Sequence, residues 1–414
     1  MFILVSRFLL FALAALDIES TIWRAISFAL VVSFAVADLV TPIGNVYADL
    51  SCGIFTGTII LEASRYLLLT RPLEEFRHES DKFPAYQLPF MQRFFWLMNI
   101  SPRGVGWSFK DDRTVSIDPR HRARGAFIVS RLRAAFVQYL FFEVAALYAR
   151  TNPAFTNTAS LGSQGYILRC LSVVVACSPF YALLCFGHSL LAVVAVATNL
   201  SEPQEWPYPF GLWEDAYTIR RFWARTWHQF NRYILTIFGP HRFNRRPWDE
   251  TVDPTIRKPK EPWSRTYLRL CIAFALSALM HVAGDVALQF SIWAKHSPAG
   301  TLSSGKVYPP LVIGVSAPTF FLQPLGVLVE DGVIAVGKRF GVKTGTWTKI
   351  IGYAWVWLWM SFSVVPTLDG LKNAIQIASP GHEYGAGAGL LERTVGILFG
   401  VDLLSIMSSW FARL

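Results

Sequence analysis

The chain has 414 residues, 53% of them apolar and only 16% charged, with a mean hydropathy of +0.37. Ordinary soluble domains carry about a quarter charged residues, so this composition excludes a disordered chain, a disulfide-stapled secreted scaffold and a typical soluble enzyme. The net charge is +10, from 38 Lys and Arg against 28 Asp and Glu; in a membrane protein such an excess belongs to cytoplasmic loops, so its placement matters more than its size.

A helix crosses a bilayer with about 20 mostly apolar residues. In chain order the candidate spans are 1–17, 23–41, 50–69, 125–149, 164–199, 267–293, 308–330, 347–366 and 389–410. The predicted fold is therefore an all-α polytopic membrane protein of about nine transmembrane helices, built as a single integral-membrane domain over 1–414. No small-residue cleavage site precedes Asp17 and a second apolar span follows at once, so the first span reads as a helix or signal anchor.

Two polar stretches interrupt the pattern as insertions. The first, 70–124, holds ten basic residues and the second, 200–266, holds eleven, together 21 of the 38. The connection 331–346 adds Lys338, Arg339 and Lys343. The positive-inside rule places all three in the cytosol, which requires 164–199 to cross once despite Pro179 and Gly187. The sequons at Asn99 and Asn199 lie in or beside these loops and are expected to carry no glycan. Segment 239–266, rich in Pro, Arg and Trp, reads as an irregular surface stretch. Cys52, Cys170, Cys177, Cys185 and Cys271 sit in apolar runs without a CxxC pair, and read as buried small hydrophobes.

Chemistry concentrates in three places. Span 267–293 carries Ser277, His281, Asp285 and Gln289 at intervals of four, on one face of a helix. Ionisable groups deep in a bilayer face a bundle interior or a wet cavity. One reading is simple hydrogen bonding to neighbouring helices. The other is a general base, His281, with Asp285 one turn on either fixing its tautomer or facing away toward water, since i+4 spacing permits contact without requiring it. The second place is Glu214–Arg232, where helical spacing would stack Trp223 on Trp227 and Arg221 on Arg225 and set Ala224 under His228. It reads either as an interfacial amphipathic helix or as part of a substrate site, and the Trp206-Pro-Tyr-Pro-Phe-Gly211 stretch before it reads as a turn. The third is Arg103-Gly-Val-Gly-Trp107, a weak phosphate-loop signal that also suits a plain turn. There is no GxSxG, HExxH, Walker motif, Asp-rich magnesium pair or zinc-ligand cluster, and no bound cofactor or metal is expected.

The order Arg-Gly-x-Gly-Trp, Trp-Pro-x-Pro-Phe-Gly, Arg221-Phe-Trp-Ala-Arg-Thr-Trp-His-Gln229 and then intramembrane Leu279-Met-His281 resembles the wax-synthase-like branch of the membrane-bound O-acyltransferases, over about residues 100–340. The resemblance implies a membrane-bound O-acyltransferase-like core, with His281 as catalytic base and the Phe-Trp-x-x-x-Trp-His segment lining an acyl-CoA channel. The broader superfamily usually carries Asn where this chain has His228, whereas the wax-synthase branch has His. That leaves open whether His228 polarises the thioester, orients substrate or packs. The pattern is most similar to fungal enzymes of secondary metabolism that acetylate terpenoid or meroterpenoid hydroxyls.

The leading expectation is transfer of a short acyl group, acetyl, from CoA to a hydrophobic alcohol. The catalytic candidates are His281, His228 and Asp285; the substrate-binding candidates are Trp223, Arg225, Trp227, Asn231, Ser277, Arg103 and Arg221, the three arginines for CoA phosphates. Acetyl-CoA is expected as co-substrate and the bilayer as solvent, with no nucleic-acid partner. The resemblance implies an endoplasmic reticulum membrane. Three alternatives stay open: a long-chain wax-ester synthase, a membrane terpene cyclase in which Asp285 is the acid, and a transporter or lipid-binding protein.

Overall fold

The computed structural model describes residues 2–101, 103–109, 123–227, 229–236, 262–296, 311–378, 389–399 and 402–412. Among them there is no β-strand. The helices, in chain order, are α1 (Phe2–Ala15), α2 (Thr21–Val40), α3 (Val46–Ala63), α4 (Pro72–Glu75), α5 (Phe90–Met98), α6 (Arg124–Thr151), α7 (Pro153–Thr156), α8 (Tyr166–Ala197), α9 (Ile219–Arg221), α10 (Arg232–Leu235), α11 (Trp263–His296), α12 (Ala317–Arg339), α13 (Thr346–Ser363), α14 (Val365–Ala378), α15 (Leu390–Phe399) and α16 (Leu403–Phe411). A π-helical stretch, Ser64–Leu69, prolongs α3.

Among the described residues seven helical segments are long and apolar enough to cross a membrane: Thr21–Val40, Val46–Leu69, Arg124–Thr151, Tyr166–Ala197, Trp263–Lys295, Ala317–Arg339 and Thr346–Ile377. Two of the nine expected spans fall short. α1 has 14 residues, fewer than the ~20 a crossing needs. The expected span 389–410 is two helices of 10 and 9 residues, because Asp402 accepts from the Ser405 amide and starts a new helix there.

The chain forms two compact units, Met1–Thr114 with Gln229–Gly332, and Val115–His228 with Val333–Leu414. In the first unit α3 packs along α11, and the reason is glycine. A Cβ on Gly53 would lie 2.6 Å from the Ala283 carbonyl oxygen and 2.7 Å from Gly284 Cα, one on Gly57 would lie 2.9 Å from Met280 Cα, and one on Gly284 would lie 2.9 Å from the Leu50 carbonyl oxygen. Helices in lipid gain little from apolar burial against each other, so such small-residue contacts are what lets them associate. A buried hydrogen bond locks the pair: Ser291 Oγ donates to Asp49 Oδ2 at 2.7 Å, while Asp49 Oδ1 accepts from the Ile43 amide. Beside this pair, Leu10, Phe11, Tyr66, Phe76, Leu97, Trp107 and Tyr233 make one apolar core. Buried Arg65 sits in it, its guanidinium 3.2 Å from the Tyr233 ring centroid and donating to the Tyr233 carbonyl.

In the second unit α8 runs unbroken for 32 residues through Pro179, as a single crossing requires. Proline leaves the carbonyl four residues back without its amide donor. Here Ser178 Oγ donates to that Val175 carbonyl at 2.7 Å, which is how proline is tolerated in lipid. The apolar run expected to end at 366 continues as α14, whose face carries a second polar stripe that the hydropathy pattern did not reveal. Lys372 Nζ donates to the carbonyls of Ala154, Asn157 and Ala159, and Asp369 accepts from the Leu161 amide and Ser160 Oγ. The stripe is structural: it ties α14 to the end of α7 and the turn after it. Of the cysteines, all free, only Cys185 is buried and Cys271 is exposed; on the outside of an apolar helix a thiol costs nothing to leave facing lipid.

The α3–α11 contact predicts a sharp contrast between two small substitutions. Gly57→Ala should destabilise the protein by about 1–3 kcal/mol through overpacking, whereas Gly125→Ala, whose Cβ meets nothing within 4 Å, should not. Thermal unfolding of both variants in the same detergent checks this.

Candidate active site

On α11, Ser277, Asp285 and Gln289 are buried and His281 is half-buried, so the polar face predicted from the four-residue spacing does turn inward. His281 Nδ1 lies 2.8 Å from the Ser277 carbonyl oxygen, one turn back. A carbonyl can only accept, so Nδ1 carries the hydrogen. In the neutral ring Nε2 then keeps its lone pair and is the basic nitrogen. The Phe320 ring of α12 packs on the imidazole with centroids 4.2 Å apart. His281 is thus held by its own helix and by one aromatic face.

Asp285 does not do what the sequence suggested. The tautomer of His281 is fixed by the Ser277 carbonyl, not by Asp285. Asp285 Oδ2 accepts from the amides of Gly314 (3.1 Å) and Ser316 (2.9 Å), and Oδ1 accepts from Ser316 Oγ at 2.6 Å. Gln289 Oε1 accepts from the Val312 amide at 2.7 Å. These two residues therefore supply partners to the turn that leads into α12, where amide groups would otherwise be buried without acceptors. The stripe divides by function: its first half presents the imidazole, its second half anchors the helix that packs on it.

The Arg103-Gly-Val-Gly-Trp107 segment, in the same unit, is a turn. Gly104 and Gly106 have φ of +66° and +76°, a region that favours glycine, and a Cβ on Gly106 would lie 2.5 Å from His78 Nε2. Ser101 Oγ accepts from the Arg103 and Val105 amides. Trp107 is buried, its ring centroid 4.8 Å from that of Trp96, and Arg103 is buried with it. Asn231 is half-buried at the start of α10, and its side chain does not cap that helix.

The segment expected as one amphipathic helix over Glu214–Arg232, which lies in the second unit up to His228, is not one. It is a turn at Trp213–Asp215, the three residues of α9 and a π-helical stretch, Phe222–Thr226, that ends where Trp227 turns extended at ψ 152°. The cause is tertiary. Gly211 donates its amide to the Thr226 carbonyl at 2.9 Å and Thr226 Oγ1 donates to the Leu212 carbonyl at 3.0 Å, so the Trp-Pro-Tyr-Pro-Phe-Gly turn closes on the segment and stops the helix. A Cβ on Gly211 would fall 1.8 Å from the Arg225 carbonyl oxygen. The expected ring pair survives, with Trp223 and Trp227 centroids 6.2 Å apart, and Phe222 stacks on Trp227 at 5.6 Å. Arg221 and Arg225 share one carboxylate: Arg221 pairs with Asp215 Oδ1, and Arg225 Nη1 stands 3.8 Å from Asp215 Oδ2. His228 lies outside the described residues, as does most of 239–266.

The membrane bound O-acyl transferase family model matches residues 206–299, a stretch that begins at the Trp-Pro-Tyr-Pro-Phe-Gly turn and ends just after α11. Acetyltransferase ple2 of Rhodocybe pseudopiperita is 28% identical, with 87% of this chain and 88% of that protein aligned. Acetyltransferase eriL of Hericium erinaceus is 26% identical, over 84% of each chain. Acetyltransferase ataH of Aspergillus terreus is 30% identical over 48% of this chain and 59% of its own. The chain resembles the membrane-bound O-acyltransferases over that segment and named acetyltransferases along most of its length, which supports an acyltransferase of the membrane-bound type. No solved structure matches it.

Three features of this acyltransferase escaped the sequence reading. Gly53-x-x-x-Gly57 places the His281 helix, and the small-residue spacing was the available signal. Arg131 of α6 is 2% exposed; its guanidinium donates to the Trp206 carbonyl and lies 3.8 Å from the Tyr208 ring centroid, so it fastens the Pro-rich turn. An Arg within an apolar span, with Arg133 two residues on, was the signal there. The role of Asp285 needed the 312–316 turn, which no spacing rule connects to it. If Asp285 acts as that anchor, Asp285→Ala strips three donors of their acceptor and should cost the acyltransferase about 1–3 kcal/mol per buried group left unpaired. Asp285→Asn, which keeps one acceptor oxygen, should lose less. Equal melting temperatures for wild type and both variants would contradict the assignment.

Proposed function

We propose that the enzyme moves an acetyl group from acetyl-CoA to a hydroxyl of a hydrophobic, terpenoid-type acceptor, with His281 as general base. The observation that carries this reading is the 2.8 Å contact between His281 Nδ1 and the Ser277 carbonyl, which leaves Nε2 free to accept a proton. As Nε2 takes the hydroxyl proton, the oxygen attacks the thioester carbonyl, an ester C–O bond forms and the C–S bond breaks. The imidazolium then returns the proton to the departing CoA thiolate. Relatives named acetyltransferases favour a short acyl group over the long chain of a wax-ester synthase.

On the donor side we assign Trp223 and Trp227 to contact with the donor and Arg225 to its phosphates. Arg225 is the better placed of the arginine pair: its side chain is 40% exposed and its distance to Asp215 is long, whereas Arg221 is engaged by both the carboxylate and the Asp215 carbonyl. Arg103, Asn231, Ser277 and His228 remain in the proposed site set, His228 as oxyanion donor or orienting group. Cytosolic 70–124 and 200–266 loops would meet water-soluble CoA while the acceptor enters from lipid, in an endoplasmic reticulum membrane. Cyclisation is disfavoured by Asp285, whose oxygens are occupied by three protein donors and offer no free acid to a polyene.

His281→Ala should lower turnover by about 10²–10⁴, the usual worth of a positioned base, at unchanged protein level in the membrane. The assay is labelled acetyl-CoA plus a terpenoid alcohol on microsomes carrying either form. Wild-type turnover by the variant would remove His281 from the role.

A further inference from the structure

The segment that carries Arg221 and Arg225 meets a residue from well outside the stretch matched by the family model. Helix α13 begins at Thr346, in the same unit, and its first turns dock on residues 214–217. Tyr353 Oη donates to the Glu214 carbonyl at 2.7 Å, and a Cβ on Gly352 would lie 2.1 Å from the Tyr217 carbonyl oxygen, so glycine permits the close approach. The docking sets Lys349 Nζ 5.3 Å from the centroid of the Tyr217 ring, which also carries the Arg221 guanidinium at 4.4 Å.

Positive charge exceeds negative along this contact. One carboxylate, Asp215, serves both Arg221 and Arg225. Lys349 is exposed, and among the described residues its ammonium makes no ion pair or hydrogen bond; the exposed Glu214 carboxylate makes none either. Helix stability does not explain a lysine here: the first turn of α13 holds no acid, and that end of a helix is where a cation is least favoured. Two cations on one ring repel each other, and an anion that meets both removes the repulsion. Lys349, Tyr217, Arg221, Asp215 and Arg225 thus form one contiguous chain, whose last cation stands 3.8 Å from its carboxylate with a side chain 40% exposed.

We propose that Lys349 is a specificity-determining residue for the donor, binding phosphate of acetyl-CoA together with Arg225 beside the Tyr217 ring. This rests on the acetyl-CoA reading given above. The phosphates of CoA all lie at its nucleotide end, and several of them suit cations spread along a chain of contacts better than the single phosphate of a lipid head group does. The same segment carries Trp223 and Trp227, so the cations lie close in sequence to the rings assigned to the donor.

The test compares acetyl-CoA with S-acetylpantetheine, which has the same thioester arm and no phosphate, using the full chain in microsomes. Lys349→Gln should raise KM for acetyl-CoA about fivefold, the worth of one partly exposed charge contact, with kcat within about twofold of wild type. KM for S-acetylpantetheine should not change. Lys349→Arg, which keeps the charge, should stay near wild type, as should Lys343→Gln, exposed on the connection before α13. Isothermal titration of the full chain in detergent, with CoA and separately with phosphatidylglycerol, reads binding without turnover: Lys349→Gln should weaken CoA by the same factor and leave the lipid unchanged. An unchanged KM and CoA affinity, an equal rise in KM for both donors, or a loss confined to the lipid would overturn the proposal. Wild type that binds CoA through Lys349 but transfers no acetyl group would leave this site standing and remove the acetyl-transfer reading; no CoA binding by wild type would overturn both.

Discussion

Hydrocarbon gives a polar group no partner, and that constraint shapes the rest of this protein. Each polar side chain on α11 has to find its partner inside the protein, and the order in which they do so separates chemistry from support. Asp285 and Gln289 spend their acceptors on the 312–316 turn. Among the described residues His281 satisfies only Nδ1, against a carbonyl of its own helix. A helix carrying such a stripe also needs a close neighbour, and Gly53, Gly57 and Gly284 let α3 approach until backbone meets backbone. An imidazole held by backbone and packing keeps one orientation, which is the property the proposed role as a positioned base requires.

The family motifs outside α11 obey the same constraint. The Pro-rich turn supplies few amide donors, and its carbonyl at Trp206 is taken by the buried guanidinium of Arg131. Gly211 then brings that turn onto Thr226, which ends the helix and turns Trp227 out of helical register. The motif that looks like a helix face in the sequence works as a closed turn carrying stacked aromatic rings. Its glycine is there because any side chain would occupy the position of a carbonyl.

How much was legible follows from which forces are local. Apolar runs of sufficient length made the seven spans visible, and segment 164–199, which the sequence could read as one crossing or two, is one unbroken helix through Pro179. The i, i+4 pattern of Ser277, His281, Asp285 and Gln289 predicted an inward face correctly, because helix geometry alone sets it. What failed was long-range. The partner of Asp285 lies about thirty residues away in sequence, the irregularity at 222–227 is imposed by residues 211 and 212, and the Lys372 stripe serves carbonyls in another segment. Hydropathy also overstated the ends: 1–17 and 389–410 are apolar enough to span but break at Asp17 and Asp402, residues that end or cap helices.

Acyl transfer itself is the claim on which the reading of His281 depends, and the mass of the product tests it most directly. The enzyme in membranes, given acetyl-CoA labelled in the acetyl carbons and a terpenoid alcohol, should yield an ester carrying the label and release one free CoA thiol per ester formed. An unlabelled product isomeric with the alcohol, formed without CoA release, would contradict the account.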